Sequence, residues 1–273
     1  MGRPLKVTAI MAAPLVGEPP HLDAILEYVR AAKAESIERD DPSGRHSGLV
    51  AWRERLAPNA PRHSGYFGIL SRSLEPPPLG ILPIAIEREQ VGSWPIAKCS
   101  SPIYLPHYEY VEHTAKRISV GEVAVHIDQQ SGRQSIHHGT GGTKAYFRPL
   151  HCLVVERIVW FCVGYGGKTG RRPDGSIKRR SPQGEMMRML RLIDSIGAER
   201  QAGYGRVAEW VVDPWDDDWS WFAPSPNGRG RMLMRPLPSS AVPDDVVGAR
   251  PTYASVCPPY WHPKRHVEAM VPC

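Results

Sequence analysis

The amino-acid sequence predicts an α+β fold in which two strand–helix–strand units share one antiparallel sheet. The apolar strand 5–13 precedes a helix that begins at His21, and the apolar strand 151–163 precedes a second helix at 183–195. A last strand, 207–212, follows the second helix after a loop that contains glycines. This order of elements is that of the split βαβ, or ferredoxin-like, arrangement, which RNA-recognition (RRM-like) domains also have.

Apolar residues recur at helical spacing in both predicted helices. They are Leu22, Ile25, Leu26 and Val29 in the first helix and Met186, Met189, Leu190 and Ile193 in the second. Gly197 is expected to end the second helix as a C′ glycine. The strand 151–163 is rich in β-branched and aromatic residues and is long enough to cross a sheet.

Long loops are expected around this core, because the 273 residues include 25 Gly and 28 Pro. Residues 104–146 are predicted to be an insertion, and the glycines and proline of 164–184 predict a loop without regular structure. The proline-rich residues 213–273 are predicted to be an irregular C-terminal extension packed on the core. The ferredoxin-like domain is therefore expected to occupy residues 1–212.

Composition limits the possible classes of protein. Apolar residues make up 41% of the chain and the net charge is +6, which suits a globular protein and is compatible with nucleic-acid binding. Because no run of about 18 apolar residues occurs, we expect no membrane span and a cytoplasmic location. The five cysteines are irregularly spaced and indicate neither a disulfide framework nor a zinc ribbon.

Four C-terminal residues have side chains that bind zinc in other proteins. They are Cys257, His262, His266 and Cys273. Their spacing matches no zinc motif, so we expect neither a metal nor any other cofactor.

The loop between the second helix and the last strand is the strongest candidate site. Its glycines and functional side chains are Gly197, Arg200, Gln201, Gly203, Tyr204, Gly205 and Arg206. The glycines permit positive φ and close approach to a ligand, and consecutive N–H groups in such a turn can bind an anion. The two arginines are suited to phosphates and the tyrosine to stacking on a base.

Two better-known glycine motifs do not fit this loop. In a Rossmann fingerprint the glycines precede a helix, whereas here they follow one, and no Gly-Lys-Ser/Thr of a phosphate-binding P-loop is present. The pattern equally fits a helix cap and a tight turn in which the glycines serve only the fold.

Residues 196–207, which read Ile-Gly through Gly-Tyr-Gly-Arg-Val, resemble the glycine-rich loop of the repeat-associated (RAMP) proteins of CRISPR systems. Two further motifs resemble the subunit that binds the 5′ handle of the guide RNA in type IV CRISPR complexes. They are Pro-Pro-His-Leu-Asp at 19–23, where the first helix begins, and Pro-Pro-Tyr-Trp at 258–261.

The resemblance implies a non-catalytic subunit of an RNA-guided surveillance complex. Such a subunit binds the crRNA 5′ handle, caps the filament of backbone RAMP subunits, contacts the large subunit and lies near the target DNA duplex. It also implies that the insertion at 104–146 is a protruding thumb. RNA binding is expected at the loop residues named above together with Lys144 and Arg148. Further nucleic-acid contacts are expected at Lys116, Arg117, Lys168, Arg171, Arg172, Lys178, Arg179 and Arg180.

Two alternative functions remain open. A guide-RNA-processing endoribonuclease of the same superfamily needs one group to activate the 2′-hydroxyl and another to protonate the leaving oxygen. The candidates for these groups are His21, His137 and His151. A stand-alone RNA-binding protein is the other alternative, but the chain contains no repeated RNA-recognition motif. The acidic, tryptophan-containing stretch 213–221 is interpreted as either a surface for a protein neighbour or a packed loop.

Overall fold

The computed structural model describes residues 2–30, 84–116, 126–127, 134–135, 146–166, 168–171, 177–260 and 262–273. In chain order, their elements are β1 (Arg3–Met11), β2 (Leu15–Val16), α1 (22–30), β3 (Arg88–Val91), β4 (Trp94–Ala97), β5 (Ile103–Lys116), β6 (His126–Ile127), β7 (Gln134–Ser135), β8 (Tyr146–Gly164), β9 (Lys168–Arg171), β10 (Ile177–Arg179), α2 (Pro182–Leu190), β11 (Val207–Pro214), β12 (Phe222–Pro224), β13 (Arg231–Leu233), β14 (Leu237–Pro238), β15 (Val246–Val247), β16 (Ala249–Ser255) and β17 (His266–Pro272).

The largest sheet is antiparallel and is centred on β1 and β8. Strand β11 pairs with the outer edge of β1, and β5 pairs with the outer edge of β8, so the order across the sheet is β11, β1, β8, β5. The short strand β2 continues the line of β1 and pairs with β8 at Leu15–Leu153 and Val16–Cys152. This sheet and the two helices confirm the predicted α+β class.

Strand β1 lies between β11 and β8, and its side chains alternate between the two faces of the sheet. Leu5, Val7 and Ala9 are buried on the side that faces the helices, and each lies directly opposite a buried residue of β8. On the other side of the sheet Lys6 and Ile10 are only partly buried, whereas Thr8 between them is buried. An alternation with a period of two residues is the pattern that a strand covered on one face requires.

Both helices pack on the same face of this sheet. The apolar stripes of α1 and α2 bury residues that include Leu26 and Met189 against Trp160 of β8 and Trp210 of β11. Helix α2 begins at a Ser181 N-cap, whose side chain accepts a hydrogen bond from the Gly184 N–H.

The second helix is shorter than the sequence predicts. It ends at Leu190, with Arg191 as its C-cap, rather than continuing to residue 195. Gly197 is therefore not the C′ glycine of this helix. Ile193 and Ile196 are buried nevertheless, because the turns after Leu190 continue along the same apolar core. Their helix-like spacing reflects burial on one side and not helical backbone.

Strand β5 occupies the first part of the segment predicted to be a thumb. Residues 103–116 pair with residues 146–159 of β8, so the two strands form a long antiparallel hairpin. Residues 117–125, 128–133 and 136–145 of the predicted insertion lie outside the described residues. Strand β5 is difficult to predict because it lies at the sheet edge, and several of its apolar side chains, such as Leu105 and Tyr108, are exposed.

Two segments predicted to be irregular contain strands. Within 164–184, β9 and β10 pair antiparallel, so the prediction of a loop without regular structure is wrong there. The C-terminal extension contains β12 to β17 in two three-stranded sheets and has a separate core around Leu237 and Trp221. These strands are short and interrupted by proline, which hides the period of two residues that identifies a strand.

In the described part of the chain, no helix has the length and apolarity needed to cross a membrane.

Candidate functional site

The glycine-containing loop is closed at its neck by backbone pairing. Ser195 and Arg206 form an isolated antiparallel bridge, and the Ile196 N–H donates to the Gly205 carbonyl at 2.9 Å. Residues 197–205 therefore leave and return to the same point, directly before β11. The sequence prediction of a loop at this position agrees with the structure, although the helix before it is shorter.

The loop is also held at the edge of the main sheet. Ala198 bridges to Val16 of β2, and the Gly205 N–H donates to the Pro14 carbonyl at 2.7 Å. Because β2 pairs with β8, the loop continues the sheet beyond β2. Its backbone is fixed on one side and faces outward on the other.

The three loop glycines serve different purposes. All have positive φ, at 83° for Gly197, 93° for Gly203 and 65° for Gly205. A Cβ on Gly197 would lie 2.7 Å from Leu15 Cδ1, and one on Gly205 would overlap the Ile196 carbonyl oxygen. A Cβ on Gly203 would meet no atom within 4 Å. Two glycines are thus required for packing, whereas Gly203 presents bare backbone to open space.

The tip of the loop is one turn of 3₁₀ helix, Arg200–Ala202. The N–H groups of Ala202 and Gly203 donate to Glu199 and Arg200 carbonyls at 2.9 and 3.0 Å, so this turn uses part of the predicted row of free N–H groups. Among the described residues, the N–H groups of Gln201 and Tyr204 make no backbone hydrogen bond. Amides with this geometry are available to an anion or to water.

Tyr204 is anchored to the sheet rather than free. Its ring packs with Val16, Leu150 and Cys152 on the sheet face opposite the helices, and its hydroxyl donates a hydrogen bond to the Glu112 carboxylate of β5. This hydrogen bond is the main cause that raises the pKa of Tyr204 to about 12. The tyrosine therefore connects the loop to β5 across β2 and β8, and only part of its ring is exposed.

The two loop arginines are exposed, and neither forms an ion pair with a described residue. The Arg200 guanidinium lies over the ring of Tyr28 in α1, at 4.7 Å from the ring centroid. Arg206 lies at the neck of the loop, where its carbonyl accepts from the Ala12 N–H at 2.8 Å. Both guanidinium groups retain donors for a phosphate.

The other sequence-predicted contacts are only partly described. Lys116 and Arg148 lie at the far end of the β5–β8 hairpin, where Thr114 pairs with Arg148 and Lys116 pairs with Tyr146. Lys168, Arg171, Lys178 and Arg179 lie in the β9–β10 hairpin, and Arg180 follows it. Lys144, Arg117, Arg172 and His137 lie outside the described residues.

A buried polar cluster joins the start of α1 to the C-terminal extension. Asp23 and Arg235 are fully buried, and Arg235 Nη2 lies 3.5 Å from Asp23 Oδ2. The Tyr260 hydroxyl donates to the Asp23 carboxylate at 2.7 Å and accepts from Arg235 Nη2 at 2.7 Å. Asp23 of the motif 19–23 and Tyr260 of the motif 258–261 therefore meet in one cluster.

Arg235 also binds backbone from both parts of the chain. Its guanidinium donates to the carbonyls of Ala97 at 2.7 Å, Cys99 at 3.1 Å and Val256 at 2.9 Å. The sequence analysis missed Arg235, because no local pattern marks a residue whose partner is 212 positions away.

His21 stacks on Tyr260 at the edge of this cluster. Their ring centroids are 4.3 Å apart, and the His21 Nδ1 atom is buried without a hydrogen-bond partner. Burial lowers the pKa of His21 to about 4, with Arg235 assisting and Asp23 opposing. His21 is therefore neutral at pH 7. His151, the other described histidine proposed for RNA cleavage, is exposed on β8 and makes no ring contact or hydrogen bond with His21.

The acidic tryptophan stretch after β11 is a packed loop. The Trp215 and Trp219 rings contact Phe161 of β8, at centroid distances of 5.1 and 5.0 Å. Asp218 accepts from Lys98 Nζ at 2.9 Å. The loop therefore covers part of the sheet face opposite the helices.

Cysteines and histidines do not converge in the described part of the chain. Cys99, Cys152, Cys162 and Cys257 are buried free thiols, and Cys273 is exposed. No group of three His, Cys, Asp or Glu side chains among the described residues is placed to hold a metal ion.

Comparison of the chain with protein-family models gives no match, and comparison with curated proteins gives no significant match.

Proposed function

We propose that this protein is a non-catalytic RNA-binding subunit of a type IV CRISPR RNA-guided surveillance complex. In this proposal it binds the 5′ handle of the crRNA, caps the filament of backbone RAMP subunits and contacts the large subunit. The observation that carries the proposal is the loop 197–205. It has the RAMP-like sequence, it projects from the sheet edge, and its Gly203 exposes backbone to open space.

A ferredoxin-like fold for the main sheet is part of the proposal. Strands β1 and β5 lie on either side of β8, and strands β8 and β11 lie on either side of β1. Helix α1 follows β1, and helix α2 follows β8. Two strand–helix–strand units that each enclose a strand of the other form the split βαβ arrangement. Because one fold supports many functions, the fold alone does not argue for RNA binding.

The loop has the chemistry to bind a sugar–phosphate backbone. A phosphate can approach Gly203 closely because no side chain intervenes, and the N–H groups of Gln201 and Tyr204 lie beside it. Arg200 and Arg206 supply charge from either side of the tip. Tyr204, fixed by Glu112, positions the loop and presents the exposed part of its ring to a neighbouring base.

The surroundings of His21 favour a non-catalytic role over the endoribonuclease alternative. Asp23 and Tyr260, its polar neighbours, already bind each other and Arg235. The phenol proton of Tyr260 is difficult to remove, since burial raises its pKa well above the ordinary value. A pair that exchanges protons with RNA needs groups whose pKa values lie near the working pH.

The proposal is tested by assembly of the complex with two matched pairs of variants. Gly203→Asp and Arg206→Glu place negative charge in the loop, whereas Gly228→Asp and Arg229→Glu make the same changes in an exposed turn of the C-terminal extension. Gly228, like Gly203, has positive φ and no atom within 4 Å of an added Cβ. The pairs therefore match in backbone strain and in charge.

Each variant is co-expressed with the partner subunits of its operon and the guide RNA, and complexes are separated by gel filtration. We expect the two loop variants to remain folded but to lose guide-containing complex, and the two control variants to assemble normally. Normal assembly of both loop variants would contradict the proposal.

The catalytic alternative has its own measurement. We expect the purified protein not to cleave its repeat RNA. Site-specific cleavage that is abolished by His21→Ala would replace the proposal with the endoribonuclease alternative.

A further inference from the structure

Three arginines converge on one buried carboxylate where the helices meet. Glu185, in the first turn of α2, is 5% exposed. Its Oε1 accepts from Arg30 Nη2 at 3.3 Å and from Arg188 Nη2, and its Oε2 accepts from Arg180 Nη1 at 3.3 Å and Arg188 Nε at 3.0 Å. The arginines come from α1, from the end of the β9–β10 hairpin and from α2. We name Arg30, Arg180 and Arg188 the arginine triad.

The triad carries more charge than Glu185 neutralises. Three guanidinium groups face one carboxylate, which leaves a net charge of +2, and no second carboxylate of the described residues pairs with them. Burial and the neighbouring Arg188 lower the pKa of Arg30, which is the direction expected of crowded positive charges. One arginine would be enough to hold a buried glutamate, so the other two are not explained by the needs of Glu185.

The hydrogen-bond donors of the triad are likewise in excess. A carboxylate has about four acceptor sites, and all four on Glu185 are occupied. Each guanidinium has five N–H donors. Arg30 Nε is buried and has no hydrogen-bond partner, so even an inner donor of the triad is unsatisfied. The donors of the triad therefore outnumber the acceptor sites of Glu185.

The triad is accessible from outside the protein. The side chains of Arg30, Arg188 and Arg180 are 24%, 31% and 38% exposed. The hairpin that ends at Arg180 is basic, since residues 168–180 contain six Lys and Arg against one Asp. Helix α1 also carries Tyr28, on which Arg200 of the glycine loop lies.

From these observations we propose that the arginine triad is a second nucleic-acid contact, which binds the phosphodiester backbone. Glu185 holds the three guanidinium groups together, and their free edges bind phosphate oxygens. The fork of an arginine matches two oxygens of a phosphate, and a fixed cluster loses little side-chain freedom on binding. This inference rests on the proposed function in that the chain acts on nucleic acid. It uses none of the residues of the loop 197–205, and of the triad only Arg180 is among the nucleic-acid contacts expected from the sequence.

A nucleic-acid backbone fits the triad better than a free phosphate or an acidic peptide. The arginines surround Glu185 on a partly exposed surface. The adjoining basic hairpin extends the positive charge along the chain, which suits a ligand with regularly repeated charges. Binding of an acidic protein is kept as an outcome of the test.

The test measures how nucleic-acid affinity depends on salt. Fluorescence anisotropy gives the Kd of the purified full-length protein for a short duplex DNA and, separately, for a single-stranded RNA without the handle sequence. Arg180→Gln, Arg188→Gln and the double variant are compared with Arg231→Gln. Arg231 is a matched control, because it is exposed and its charge is balanced by Asp245 at 2.7 Å.

We expect each triad substitution to reduce the slope of log K against log salt by about 0.9 for duplex DNA or about 0.7 for single-stranded RNA. Arg231→Gln should leave the slope unchanged. Arg188→Lys should retain the slope, since it keeps the charge, but should weaken binding because the fork is lost. The ligand whose slope changes identifies the strand that the triad contacts.

Three results would overturn the inference. They are unchanged slopes in the two single triad variants and the double variant, an equal reduction in Arg231→Gln, or loss of binding to an acidic protein without any change in nucleic-acid binding. Thermal unfolding of each variant separates misfolding from loss of contact, and Arg180→Gln, at the most exposed position, is the safest variant. If Arg206→Glu still prevents handle binding while the triad variants behave as wild type, only this inference fails. If neither Arg206→Glu nor the triad variants change nucleic-acid binding, the proposed function fails as well.

Discussion

The clearest test of how this chain is held together is the replacement of Asp23 by asparagine. Asp23 is 0% exposed and its carboxylate faces Arg235, which is also 0% exposed. The substitution keeps the size and most of the shape of the side chain but removes its charge. It leaves the Arg235 guanidinium buried without an anion, and a buried, unpaired charge is among the most destabilising features of a folded protein.

The structure gives the expected order of three substitutions in this cluster. Tyr260→Phe removes one hydroxyl that donates to Asp23 and accepts from Arg235, for a loss of about 1–3 kcal/mol. Asp23→Asn should cost about 3–5 kcal/mol, the range for removing one partner of a buried pair. Arg235→Met should cost the most, because it also deprives the Cys99 and Val256 carbonyl oxygens of the donor they have in Arg235.

A double-mutant cycle isolates the interaction between the two charges. In the variant that combines Asp23→Asn with Arg235→Met, no unpaired charge remains, so the total loss should be smaller than the sum of the single losses. The coupling should lie within about 0.5–3 kcal/mol, the range for residues in contact. The same cycle on the exposed pair Arg231–Asp245 is the control, and its coupling should be much smaller, because water screens the two charges.

Urea unfolding followed by tryptophan fluorescence is a suitable assay. Trp221 lies in the C-terminal core, and its indole N–H donates to the Ala97 carbonyl, which also accepts from Arg235. The reasoning is refuted if Asp23→Asn changes the free energy of unfolding by less than about 1 kcal/mol, or if the double variant is additive within about 0.5 kcal/mol. Either result would mean that Asp23 and Arg235 do not depend on each other.

Three further predictions concern the loop and His21. Gly205→Ala should lower the melting temperature more than Gly203→Ala. Both positions have positive φ, which costs an alanine about 1 kcal/mol, but only Gly205 lacks space for a methyl group. Equal losses by thermal unfolding would contradict this. Tyr204→Phe should lower the free energy of unfolding by about 0.5–1.5 kcal/mol, because water replaces the lost hydroxyl at the partly exposed Glu112 carboxylate. A loss several times larger in urea unfolding would mean that the hydroxyl has another role. His21 stays neutral in the folded protein down to about pH 4, whereas in the unfolded chain it binds a proton below about pH 6.5. The free energy of unfolding should therefore fall by about 3 kcal/mol as the pH is lowered from 6.5 toward 4. His21→Phe, which keeps the stacked ring, should lose less stability than wild type over that interval, and equal losses would show that His21 does not titrate as described.

The elements predicted correctly from the sequence are those whose burial produces a regular local pattern. Strands β1 and β8 and helix α1 each present an uninterrupted apolar face to one core. Strand β5 does not, because it is an edge strand with exposed Leu105 and Tyr108 and with irregular register opposite β8. The predicted end of α2, at residue 195, is too late for a related reason. Ile193 and Ile196 lie in turns after the helix but are buried in the same apolar core, so their spacing resembles that of a helix.

The candidate site was predictable in position but not in its contacts. Glycines that follow a helix and precede a strand indicate a loop, and the loop is present at residues 197–205. The pairing of Tyr204 with Glu112, 92 residues away, has no signal in either local sequence. The same is true of the contact between Asp23 and Arg235. Long-range polar contacts depend on the complete fold, whereas local spacing reports only which face of an element is buried.

The contacts of Tyr204 bear on how the loop would bind RNA in the proposed complex. From sequence, a tyrosine between two glycines suggests an exposed ring available for stacking on a base. In the structure its hydroxyl is bound to Glu112, and its pKa of about 12 keeps it a donor at any physiological pH. Gly205, for its part, is held against Ile196. The side chains around Gly203 therefore fix the backbone, and the bare backbone at Gly203 is the part left to meet a ligand. A loop that is already fixed loses little conformational entropy when it binds, so in the proposed complex its rigidity favours a tight grip on the RNA.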